Sequence, residues 1–137
     1  MPFENTLDIL KLQGDVIIDI FEHSVSSSFD EIEFIGIHML QISGFQLTFN
    51  TSKPVGRRLE TIQIKNKYNE FENINLYKSY AVIAPSFLAR GGDGYTMIKT
   101  NRKHYKVGLL DIDLIEKYIL NKSPISPELD HRIIMLK

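Results

Sequence analysis

The chain has 137 residues, 43% of them hydrophobic, and its 16 Lys+Arg against 17 Asp+Glu leave a formal net charge of −1. That is the size and balance of one ordinary globular domain, too apolar and too nearly neutral for disorder and without the cationic excess that a grip on a nucleic-acid polymer requires. No apolar run approaches the about 20 residues that span a bilayer, and the lack of cysteine excludes disulfides, thiolate chemistry and Cys-based zinc sites.

In chain order, Thr6 to Leu12 alternates imperfectly, with Leu7, Ile9, Leu10 and Leu12 apolar, and predicts a strand. Gly14-Asp15 reads as a break and an N-cap, because the Asp15 carboxylate accepts from the first-turn amides. Val16, Ile17, Ile20 and Phe21 follow at helical spacing and predict a helix from Asp15 to about Ser27. Ser26 to Glu33 is a polar loop. Met39 to Ile42 predicts a strand, Ser43-Gly44 a bulge or bend, and Phe45, Leu47 and Phe49 a cleanly alternating strand.

Asn50 to Gly56 is turn chemistry. Leu59, Ile62 and Ile64 mark another strand, with a turn at Asn66 to Asn69. Tyr80 to Ala84 is a continuous apolar run, expected as a buried strand stopped by Pro85. Arg90 to Gly94, with three glycines, fits neither a helix nor a central strand. Ile112 to Leu120 predicts a second helix, started by Asp111 or Asp113 and ended at Ser123 to Pro127. Arg132 to Leu136 predicts a last strand. The class expected is α+β, with a mixed or antiparallel sheet and two main helices.

The residues alone show no catalytic constellation. His23, His38, His104 and His131 lie at no metal-ligand spacing from one another. Asp111-Ile112-Asp113 reads as a helix start and not a calcium loop. Ser24 beside His23 is no catalytic pair, since adjacent helical residues point apart. By composition Phe3 and Phe87 are core aromatics and Asp93 is a turn residue. Asn50-Thr51-Ser52 and Asn121-Lys122-Ser123 are short glycosylation sequons of a kind that arises often by chance. One feature stands out: Phe87, at the end of an apolar run, just before a Gly-Gly-Asp-Gly loop. Stacking of a base on such a ring is worth about 1–3 kcal/mol.

Ser86 to Met97, SFLARGGDGYTM, resembles the F-L-A-x-G-G-D-G-[YF] signature of the C-terminal domain of 5′-nucleotidases. That is the family of ecto-5′-nucleotidase, insect salivary apyrases and bacterial UDP-sugar hydrolases. Further segments are similar to family motifs in family order. Pro2-Phe3 with Thr6 and Asp8 resembles a P-F-x-x-x-x-D entry, and Leu12 to Val25 an L-x-G…EHSV strand and helix. Leu40 to Gly44 resembles L-Q-V-[SG]-G, and Pro54 to Arg58 resembles P-x-G-x-R.

The resemblance implies the nucleotide-recognition part of a hydrolase of nucleotide catabolism. Phe3 and Phe87 would sandwich the base, and Asp93 would accept from the ribose hydroxyls. Gly91 and Gly92 would let the backbone come close. Ser86 stands where the family usually has Asn or Asp, and Arg90 where a smaller or polar residue is common. Two divalent metals, zinc or similar, belong to an N-terminal metallophosphatase domain in the family.

Nothing in the 137 residues resembles that metal domain, nor the N-G-G-x-R motif upstream. The sequence therefore reads as a fragment expected to lack phosphatase activity alone, with no cofactor of its own and a nucleotide or nucleoside as ligand. The alternative is a non-catalytic nucleoside-binding or interaction domain. Apolar faces left uncovered would favour a homodimer. The resemblance suggests an extracellular or cell-surface setting, although no signal peptide, membrane segment or anchor is read in the sequence.

Overall fold

The computed structural model describes residues 3–27 and 39–137. The chain divides into two compact units, Met1–Gln13 with Ser79–Leu129, and Gly14–Lys78 with Asp130–Lys137. The class is α+β as expected, but the strands form two sheets.

The first unit is built on a three-stranded antiparallel sheet. Its centre is β1 (Leu7–Gln13), flanked by strands at Ser79–Pro85 and Lys103–Lys106. In β1, Asp8, Leu10 and Leu12 are buried and Ile9 is exposed, as the period of two of a half-covered strand requires. Tyr80 and Ala84 are buried in the Ser79–Pro85 strand, but Ile83 is 66% exposed. The continuous apolar run is thus covered on one face only, which an antiparallel sheet allows. Tyr95 and Ile98 complete this unit's core with Ala89.

The second unit begins with α1 (Gly14–Ser24), which starts one residue earlier and ends three residues earlier than the sequence predicts. Its amides find carbonyls in a distant turn: Gly14 N donates to Lys78 O at 3.0 Å and Asp15 N to Leu76 O at 3.1 Å. Asp15 is therefore not the N-cap; its Oδ1 accepts from Val16 N, 2.8 Å away. A Cβ on Gly14 would lie 2.1 Å from Asn75 O, so only glycine lets the helix start meet that turn.

The second sheet contains β2 (Phe45–Asn50), β3 (Leu59–Lys65) and β4 (Phe71–Asn73). Its fourth strand, Ile133–Leu136, runs parallel to β2, while the β2–β3 and β3–β4 pairs are antiparallel. Val16, Ile17, Ile20, Phe21, Val25, Leu47 and Phe49 are buried here, and the Phe21 and Phe45 rings meet edge to face at 5.1 Å.

Met39 to Ile42 is not a strand. Pairing of β2 with β3 starts at Phe45, after a left-handed Gly44 (φ 81°). The carbonyl of Ile42 is instead taken by the Arg132 guanidinium at 2.6 Å. The predicted polar loop Ser26 to Glu33 lies outside the described residues from position 28 onward. Among the described residues no helix is long and apolar enough to cross a membrane.

With β5 (Ser79–Pro85) as the strand that enters it, the remaining path of the first unit is α2 (Ser86–Ala89), a 3₁₀ turn (Gly92–Gly94), α3 (Thr96–Asn101), β6 (Lys103–Lys106) and α4 (Asp111–Lys122). The strand Ile133–Leu136 of the second unit is β7.

Candidate functional site

An open cleft of about 450 Å³ lies in the first unit. One wall is the segment Phe3, Glu4 and Asn5, and the other is Ser86, Phe87, Arg90, Gly91 and Gly92. Four short bonds hold the walls together. Ser86 N donates to Thr6 O (2.8 Å), and Thr6 N donates back to Ser86 Oγ (3.2 Å). Asn5 Oδ1 accepts both from the Ser86 hydroxyl (3.0 Å) and from Phe87 N (3.2 Å). Asn5 thereby satisfies an amide at the start of α2 that has no partner within the helix.

The loop after α2 turns because Gly91 adopts φ 91°, a left-handed conformation that glycine takes without steric cost. Gly92 then packs on the Phe87 ring so closely that a Cβ there would lie 2.6 Å from its carbons. Asp93 sits in the 3₁₀ turn at φ 53° and is exposed. Burial, with the nearby charge of Asp93, pushes the Tyr95 hydroxyl well above the usual phenol range. That ring, 1% exposed, stays neutral beneath the loop.

Two residues on from Thr6 in the chain is a buried carboxylate, Asp8, which is fully inaccessible. Burial pushes its pKa up. Hydrogen bonds from the Thr6 hydroxyl, the Tyr105 hydroxyl and Gly108 N, with the charge of Arg90, outweigh that and hold it below the ordinary 3.8. The Thr6 bond is 2.6 Å and the Gly108 bond 3.2 Å. Tyr105 in turn is stacked by Arg102, whose guanidinium carbon lies 3.6 Å from the ring centroid and whose Nη1 donates to Ala89 O at 2.7 Å. One network thus touches the residue after Asn5 and the last residue of α2, which in the chain lies between Phe87 and Arg90 of the second wall.

The fold brings Phe3, Ser86, Phe87, Gly91 and Gly92 to one cleft. Asp93 is next to Gly92 in the chain but is not on the walls. Phe3 is 81% exposed and Phe87 51% exposed, so the composition-based reading of both as core aromatics is corrected. The Ser86 hydroxyl is engaged by Asn5 and Thr6. Sequence reasoning did not single out Glu4 or Asn5, and it attached no role to Arg90. Among the described residues no three of His, Cys, Asp or Glu gather as a metal ion would require.

Residues 1–100 match the family model of the 5′-nucleotidase C-terminal domain. The chain belongs to this family. It is 37% identical to an apyrase of Tabanus yao over 139 residues, covering 99% of this chain and 25% of the apyrase. It is 31% identical to a snake venom 5′-nucleotidase of Macrovipera lebetinus, covering 99% of this chain and 33% of that protein. Among solved structures, a 5′-nucleotidase precursor from Thermus thermophilus superimposes with a TM-score of 0.89 at 28% identity, over 99% of this chain and 26% of that one. The chain thus spans a quarter to a third of these relatives.

Proposed function

We propose that this 5′-nucleotidase C-terminal domain recognises the nucleoside part of a nucleotide for a hydrolase of that family. Phe3 and Phe87 stack on the base, and the Asp93 carboxylate accepts from the ribose hydroxyls. Gly91 and Gly92 keep the loop backbone free of side chains where the ligand approaches. Phosphate-ester cleavage belongs to a metal-bearing domain of the kind the family carries, and the snake venom relatives support an extracellular setting.

The observation that carries this reading is the pair of exposed phenylalanines on one cleft. Large apolar rings left in water forgo the burial that normally stabilises a fold, and a flat base would cover them. Calorimetry of adenosine with the 137-residue chain tests the reading. Phe87→Ala should weaken binding by about 1–3 kcal/mol, and Asp93→Ala should erase any preference for ribose over 2′-deoxyribose. Unchanged affinity in Phe87→Ala would remove the stacking role.

A further inference from the structure

Two charged side chains of opposite sign, Glu4 and Arg90, line the cleft with Phe87. Among the described residues neither side chain has a hydrogen bond or ion-pair partner; Arg90 acts on buried Asp8 only through space. An anionic group entering here would meet the Glu4 carboxylate as well as the Arg90 guanidinium. A neutral, flat edge that presents paired acceptors and paired donors satisfies both.

Resting on the nucleoside reading above, we infer that Glu4 and Arg90 read the edge of the base and set the cleft to prefer guanine. Guanine offers O6 and N7 as neighbouring acceptors, the pair that a planar guanidinium fork meets with two parallel bonds. It also offers N1–H and the N2 amino group as neighbouring donors, which a carboxylate with two acceptor oxygens matches. Adenine carries a donating amino group where guanine has O6, so Arg90 would face a donor. Hypoxanthine keeps O6, N7 and N1–H but lacks the N2 amino group, so it satisfies Arg90 fully and Glu4 by half. Pyrimidines have no N7.

The test is titration of the 137-residue chain with the 5′-monophosphates of guanosine, inosine and adenosine by calorimetry. Guanosine monophosphate should bind more tightly than adenosine monophosphate by on the order of tenfold, with inosine monophosphate between them. Glu4→Ala should bring the guanosine nucleotide to the level of the inosine nucleotide. Arg90→Lys keeps a positive charge near Asp8, and so should keep the thermal melt. It removes the fork, and so should narrow the advantage of both oxopurines over adenine to the part that Glu4 supplies. Equal affinity for the three, or tighter binding of the adenosine nucleotide, would overturn the guanine preference and leave the nucleoside reading standing. If none of the three binds, both fall together.

Discussion

At Gly92 the nearest ring carbons of Phe87 would be 2.6 Å from any added Cβ, well inside the about 3.5–4.0 Å at which carbons pack. A side chain there must displace the ring. Phe87 is half-exposed, so the ring swings outward without leaving a cavity, and stability should hardly change. Gly92→Ala should therefore melt within about 0.5 kcal/mol of the parent while losing nucleoside affinity. A thermal melt beside calorimetry reads both. Full affinity in the variant would show that the ring's position is not what a ligand senses. The sequence reveals Phe87 and its glycines because they sit together in twelve residues. Asn5 escapes notice because its partner Ser86 is 81 positions away, and nothing local marks an asparagine that will meet a helix start from the far end of the chain. Glu4 and Arg90 are ordinary surface charges until the same long-range pairing brings them to one cleft.

Between elements, the motifs EHSV and PVGRR turn out to be one brace. Glu22, near the end of α1, accepts from Arg58 N (3.0 Å) and Leu59 N (2.8 Å) at the entry of β3. Arg58 reciprocates: its Nη1 donates to Val25 O (2.6 Å) and Ser27 O (2.9 Å), past the helix end, and its Nε to Lys53 O (3.0 Å). Both side chains are half-buried. Truncating Arg58 removes the charged donor to three carbonyls, so Arg58→Ala should cost about 2–3 kcal/mol in urea unfolding. Arg58→Lys should recover only part of it, because an ammonium cannot reach three carbonyls as a planar fork does; full recovery would reduce the brace to simple charge. The long elements, β1, α1, β2, β3 and α4, were readable because they repeat their period. β4, α2, α3 and β6 run for only three to six residues, too few for a repeat to show. Met39 to Ile42 carries apolar residues but meets no partner strand among the described residues, and a strand exists only by pairing. In α4 the period predicted the helix, yet Ile112, Ile115, Tyr118 and Ile119, read as its apolar face, are 39–58% exposed. A pattern says which face can be covered, not whether this chain covers it.

Across the whole molecule the chain passes between its two units at Gln13–Gly14, Lys78–Ser79 and Leu129–Asp130, so local sequence could not announce the division. Motif order along the chain points to the family without showing that partition. The first unit also contains a buried carboxylate, Asp8, set between Thr6, Tyr105 and Gly108. Its pKa is depressed in the folded state. The native chain therefore keeps this carboxylate ionised to lower pH than the unfolded chain does, and in that interval the unfolded state binds more protons. Stability from Asp8 is then complete above the ordinary carboxylate value of 3.8 and is lost as pH falls through the folded pKa. Asp8→Asn preserves the shape but removes the charge that the three donors face. Urea unfolding of both proteins from pH 7 down to pH 2 should show the wild type more stable at neutral pH, with the gap closing below about pH 4. Other carboxylates titrate in the same range but do so in both proteins, so the difference isolates Asp8. A gap that stays constant with pH would mean that the three bonds stabilise the neutral amide and the carboxylate alike, and that the buried charge itself contributes nothing.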